Sequence, residues 1–171
     1  MQAFFIYIEK TVTIPELQIA MKKLFPNLNF YEWNLQENII NGEVDKELGD
    51  TDILIELINT LGLFKTFVEF YRFPGDESNS TIDLYIALKL SNFFICKTTI
   101  DGYSYHDFDQ MPDYSLLLEN DKAYLIGDCY PNKDWSANDK RINELKIKII
   151  QEVDLSSHTE RYNIDGLKTS T

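Results

Sequence analysis

Catalytic equipment is scarce in this chain. Its 171 residues include 2 histidines and 2 cysteines. A histidine-based acid–base pair or a multi-histidine metal centre is therefore poorly supplied. Cys96 and Cys129 cannot build a disulfide framework and lack a CxxC spacing. Two reduced thiols of this kind imply a cytoplasmic protein, where the Asn79-Ser80-Thr81 sequon would be idle. The 7 glycines form neither GxGxxG nor GxxxxGK, and GxSxG and HExxH are missing as well. No apolar run approaches the roughly 18 residues of a membrane helix. Residues 1–8 are apolar but have no basic n-region or cleavage site, so they read as a first strand and not a signal peptide. No cofactor and no metal is expected from this inventory.

Basic residues are also in short supply. There are 16 against 28 acids, a net charge of −12, which speaks against nucleic-acid binding through a basic surface. The acidity is concentrated. Residues 37–56 hold seven carboxylates (Glu37, Glu43, Asp45, Glu47, Asp50, Asp52, Glu56) against Lys46 alone. Residues 101–134 hold eight (Asp101, Asp107, Asp109, Asp113, Glu119, Asp121, Asp128, Asp134) against Lys122 and Lys133. Outside these segments 13 acids meet 13 bases, so the whole excess lies within them.

The composition, 44% apolar and 26% charged, is that of an ordinary globular domain. The expected fold is α+β, one domain over 1–155 followed by a polar tail or loosely docked arm over 156–171. A mainly antiparallel sheet of about five to seven strands should carry about three helices on one face. Its centre is read as a long hairpin, with aromatic Phe67–Phe73 as the first arm. Residues 82–90, apolar at every even position, supply the second. Strands are also expected at 2–9, 29–33 and 93–100, and as a hairpin at 115–119 and 122–126 around Asn120-Asp121. Asn41-Gly42 marks a tight turn in the otherwise ambiguous stretch 34–48.

Three segments read as helices. Thr13-Ile-Pro-Glu16 has capping-box spacing and opens a helix over 14–25, with Ile14, Leu17, Met21 and Leu24 on its apolar stripe. A second is expected over 50–62 from Leu54, Leu57, Ile58 and Leu61, closed by Gly62. A third is expected over 138–153, started near Ser136 with Asp139 at capping spacing. Ile142, Leu145, Ile149 and Val153 would line one face, and Lys140–Glu144 and Glu144–Lys148 would pair on the other.

One loop collects polar chemistry among aromatic rings: Tyr103-Ser-Tyr-His-Asp-Phe-Asp-Gln-Met-Pro-Asp113. Its carboxylates and His106 could ligate a divalent cation, but the spacing is not that of an EF-hand. The same residues fit a solvated loop or the acidic half of a protein interface, in which rings supply buried area and carboxylates supply pairing. Tyr103, Tyr105, Asp107, Asp109 and Asp113 are the candidate partner-binding residues, with Glu43, Asp45 and Glu47 as a second patch. Trp135 could join them. A Cys96 nucleophile served by His106 lacks a visible third partner.

A small acidic chain without catalytic motifs is similar in general character to bacterial immunity proteins, which neutralise a cognate, often basic, toxin. The likeness rests on composition and not on any motif. It implies a cytoplasmic inhibitor that binds a basic protein such as a nuclease, and no enzyme. Clustered negative charge would steer such a partner. The alternatives are a nucleic-acid mimic that blocks a DNA-binding enzyme, a small enzyme with an unfamiliar carboxylate pair, or acidity kept for solubility.

Overall fold

The computed structural model describes residues 2–34, 36–37, 39–44, 46–73, 82–101, 114–127, 136 and 138–155. Ten strands form one mixed sheet: β1 Gln2–Ile8, β2 Asn29–Asn34, β3 Ile39–Ile40, β4 Glu43–Val44, β5 Asp52–Asn59, β6 Thr66–Phe73, β7 Thr98–Asp101, β8 Tyr114–Glu119, β9 Lys122–Gly127 and β10 Ile149–Val153. Two α-helices accompany them, α1 Ile14–Leu24 and α2 Ile82–Phe94. The order across the sheet is β10-β9-β8-β7-β1-β6-β5-β2-β3-β4. Every pairing is antiparallel except β2 with β5. The broad α+β expectation holds, with more strands and fewer helices than expected among the described residues.

Two crossovers organise the sheet. The path β1-α1-β2 passes over β6 and β5, and β6-α2-β7 passes over β1. They start from antiparallel neighbours and move in opposite senses along the sheet. A common crossover hand therefore puts both helices on one face. The core bears this out: Leu17, Ala20 and Met21 of α1 and Leu84, Ile86, Ala87 and Leu90 of α2 share one cluster with Ile6, Ile8, Ile53, Ile55, Val68 and Phe70.

Helix α1 starts where the capping spacing put it. The Glu16 carboxylate accepts from the Thr13 amide at 2.9 Å and from its hydroxyl at 2.7 Å. These bonds, the hydroxyl's foremost, hold the Glu16 pKa below the usual carboxylate range. Both tight turns read from sequence are present. Asn41 and Gly42 (φ +50° and +81°) join β3 to β4, and Asn120 and Asp121 (φ +52° and +60°) join β8 to β9, as paired left-handed residues do in two-residue hairpins.

The second arm of the central hairpin is wrong. Residues 82–90 belong to α2, not to a strand. At about 100° per residue the buried Ile86, Leu90, Ala87, Ser91 and Leu84 sweep roughly 160° of helix surface. The partly buried Ile82 and Leu88 on the flanks of this arc widen the apolar surface to roughly 240°, which satisfies alternation by accident. The small Ala87 lets the helix approach the sheet closely enough for the Thr98 hydroxyl to donate to its carbonyl at 2.8 Å. Helix α2 runs on through Phe94, so the strand expected at 93–100 begins only at Thr98.

Residues 50–62 are also not a helix. Strand β5 lies between β6 and β2; Ile53 and Ile55 are buried in the core beneath the helices, and Leu54, on the opposite face, is buried between its cross-strand partners Tyr31 and Tyr71. Gly62 does take a positive φ (+89°), but in the turn between β5 and β6, where the Thr60 amide donates to Lys65 O at 2.9 Å. The third expected helix, 138–153, is a short 3-10 turn over Lys140–Glu144 followed by strand β10. Asp139 accepts from the Arg141 amide at 3.0 Å and its guanidinium at 2.6 Å, closing a tight turn. The β-branched Ile147, Ile149 and Ile150 then favour an extended chain. Glu152 pairs across the strands with Lys122 at 3.2 Å. No helix among the described residues is long and apolar enough to cross a membrane.

Candidate protein-binding surface

Most of the site expected from sequence, namely Tyr103, Tyr105, Asp107, Asp109 and Asp113, lies outside the described residues, as do Asp45, His106, Cys129, Trp135 and the arm 156–171. The second patch is partly placed. Glu43 lies exposed on β4, and Lys46 Nζ stands 3.1 Å from its Oε2, so that carboxylate is locally paired. The same ammonium lies 4.9 Å from the Tyr31 ring centre. Glu47 is exposed beside them. Burial, the largest influence on it, pushes the Cys96 thiol pKa up, which opposes thiolate chemistry. Among the described residues no three of His, Cys, Asp and Glu come together as a metal site would require.

Neither α-helix lies on the other face of the sheet. The pleat sends alternate residues of each strand there, and an open sheet face ordinarily presents polar side chains. Here the central strands present aromatic rings. Strand β1 contributes Phe5 and Tyr7, β6 contributes Phe67, Glu69 and Tyr71, β5 contributes Leu54, Glu56 and Ile58, and β2 contributes Tyr31 and Trp33. Tyr7 and Phe67 are cross-strand partners with ring centres 5.0 Å apart, and Phe5 lies 5.6 Å from Phe67. Trp33 meets Tyr71 edge-on at 4.8 Å. These rings are half-buried, and Ile58 beside them is 46% exposed. Toward β8 and β9 the same face closes over Phe64, Leu117 and Ile126, which form a second, smaller core.

Two carboxylates stand among the rings. Glu56 and Glu69 are directly opposite one another across β5 and β6. Like charges on one rung repel. The Tyr71 hydroxyl donates to Glu56 Oε2 at 3.3 Å. Burial, and then hydrogen bonding and charge from Glu69 and Glu56, push the Tyr71 pKa above the ordinary tyrosine range, so the hydroxyl stays a donor. Trp33 Nε1 is enclosed and meets no hydrogen-bond acceptor among the described residues. The arrangement can bury aromatic area around a cation and neutralise it.

Sequence reading missed this surface because it sought acidity along the chain, whereas Glu56 and Glu69 become neighbours only across strands. A signal was present in Phe67-Val-Glu-Phe-Tyr-Arg-Phe73: with Val68 and Phe70 inward, Phe67, Glu69 and Tyr71 must point the other way. No protein-family model, no curated protein and no solved structure matches the chain.

Proposed function

We propose that the chain is a binding protein for a basic protein partner and that the helix-free face around Glu56 and Glu69 is its docking surface. The observation that carries the reading is the opposed carboxylate pair set among Trp33, Tyr71, Phe5 and Phe67. An arginine or lysine entering there relieves the repulsion of the pair and gains hydrogen bonds to charged oxygens. The rings supply the buried area typical of binding hot spots. The net charge of −12 adds long-range steering of a cationic partner. Inhibition of a basic toxin, as an immunity protein does, is the biological role we assign to this binding.

The test is capture of partners from the source cells at low salt, using the wild type and a Glu56→Lys, Glu69→Lys double variant whose fold is checked by circular dichroism. The expected result is a basic protein bound by the wild type, released by salt and lost in the variant. An acidic partner, or a basic one bound equally by both, overturns the assignment. Reversal of Asp107 and Asp109 in the same assay tells whether the 103–113 loop shares the interface.

A further inference from the structure

A groove at the outer edge of β2 accommodates a different kind of contact. On one side β2 pairs with β5 along Asn29–Glu32. On its outer side β3 pairs only with Trp33 and Asn34, and the Asn41 amide adds a last rung to Glu32 O at 2.7 Å. There the Asn41–Gly42 turn carries the chain away, and side chains of α1 reach the preceding outward carbonyls, Phe30 and Leu28. Between them runs an open groove of about 490 Å³, lined by Gln18, Ile19 and Lys22 of α1 and by Asn29, Phe30 and Asn41.

The backbone on this edge already meets donors, but they come from side chains. Leu28 O accepts from Lys22 Nζ and Phe30 O from Gln18 Nε2, each at 2.8 Å. Alternate carbonyls engaged along one edge are the places that the amides of an adjoining strand fill. Both donors sit on long, flexible stems that can swing aside. Ile19, 56% exposed, offers an aliphatic wall to the groove. Lys22, once off the Leu28 carbonyl and Asn29 Oδ1, offers a positive charge.

We propose that this groove takes an extended peptide segment of a partner, added beside β2 as a further strand. Its main chain replaces Gln18 and Lys22 at the Phe30 and Leu28 carbonyls. Of its alternate side chains, an aliphatic one packs on Ile19 and an acidic one pairs with Lys22. Main-chain bonding of this kind supplies affinity, and the two side-chain contacts supply selectivity. The segment is thus opposite in charge to the partner expected at Glu56 and Glu69, and neither proposal depends on the other.

Selection of displayed random dodecapeptides against the full chain tests this, with an Ile19→Asp variant as the counter-selection. The expected outcome is a set of peptides sharing an aliphatic and an acidic residue. Their binding by the full chain should weaken about tenfold or more in Ile19→Asp, turn toward basic peptides in Lys22→Glu, and vanish when alternate peptide amides are N-methylated. Amide resonances of Phe30 and Glu32 should shift on binding. No enrichment over the Ile19→Asp variant, or binding that N-methylation leaves intact, overturns the proposal.

Discussion

Glu56 and Glu69 occupy the same rung of the β5–β6 ladder, their side chains on the face that bears Trp33, Phe5 and Phe67. The Tyr71 hydroxyl bonds to Glu56 and its acidity is suppressed in part by Glu69. Two carboxylates and a hydroxyl that donates to one of them thus meet on one half-buried patch, opposite the face that carries the helices. Like charges facing one another on a rung cost the isolated fold stability.

Replacing Glu69 by Gln should therefore stabilise the protein while weakening its partner. Removing a like charge opposite Glu56 is worth about 0.2–1 kcal/mol. The gain should shrink as salt screens the repulsion. Urea unfolding of wild type and Glu69→Gln at two ionic strengths measures it. A variant less stable than wild type at low salt would show that Glu69 is held by attractive contacts instead.

Substitutions in α2 separate its helical packing from a strand. Ile86→Ala should cost about 2–5 kcal/mol, because the side chain is fully buried. That much a strand would also show. Ala87→Leu distinguishes the two: Ala87 is fully buried against β7, so a larger side chain should cost about 1–3 kcal/mol. On a strand with its even positions inward, residue 87 would point away and tolerate leucine. Chemical denaturation with unchanged m-values gives both numbers.

Acid should weaken the start of β5. Asp52 accepts from Asn29 Nδ2 and from the Gly49 amide, each at 2.9 Å. Its pKa is lowered, by the Asn29 bond first, against the opposing effect of burial. A carboxyl whose folded pKa lies below its unfolded value stabilises the fold above the unfolded value, about 3.9 for Asp. That contribution is lost as pH falls through the lower, folded value. Melting temperatures from pH 6 downward should fall more steeply for wild type than for Asp52→Asn below about pH 4. Parallel curves would mean that these bonds do not favour the ionised form.

Local chemistry was readable wherever a few adjacent residues decide the outcome. The Thr13–Glu16 box, the Asn41-Gly42 and Asn120-Asp121 turns and the arm Phe67–Phe73 all appear as their residues dictate. Periodicity misled where burial is two-sided. Strand β5 carries apolar residues on both of its faces, so Leu54, Leu57, Ile58 and Leu61 imitated a helical stripe. Helix α2 is apolar around most of its circumference, so its even positions imitated a strand. Residue type was the better guide: Ile53, Ile55 and Ile58 are β-branched, while Leu84, Ala87, Leu88 and Lys89 favour helices. The opposed pair Glu56 and Glu69 was hidden for a different reason, since residues thirteen apart become adjacent only through the hairpin register.

The central place of β1 has a consequence for the birth of the protein. Ile8 pairs with Thr66 on one side and Thr98 on the other, so both neighbours of this strand are synthesised long after it. At roughly 5–20 residues per second, about 3–12 seconds separate translation of Ile8 from that of Thr66. Through that interval Phe4, Phe5, Ile6, Tyr7 and Ile8 have no strand to join. A nascent chain carrying so apolar a segment is a natural client for a ribosome-associated chaperone, and slowed translation between β1 and β6 would lengthen its exposure to aggregation.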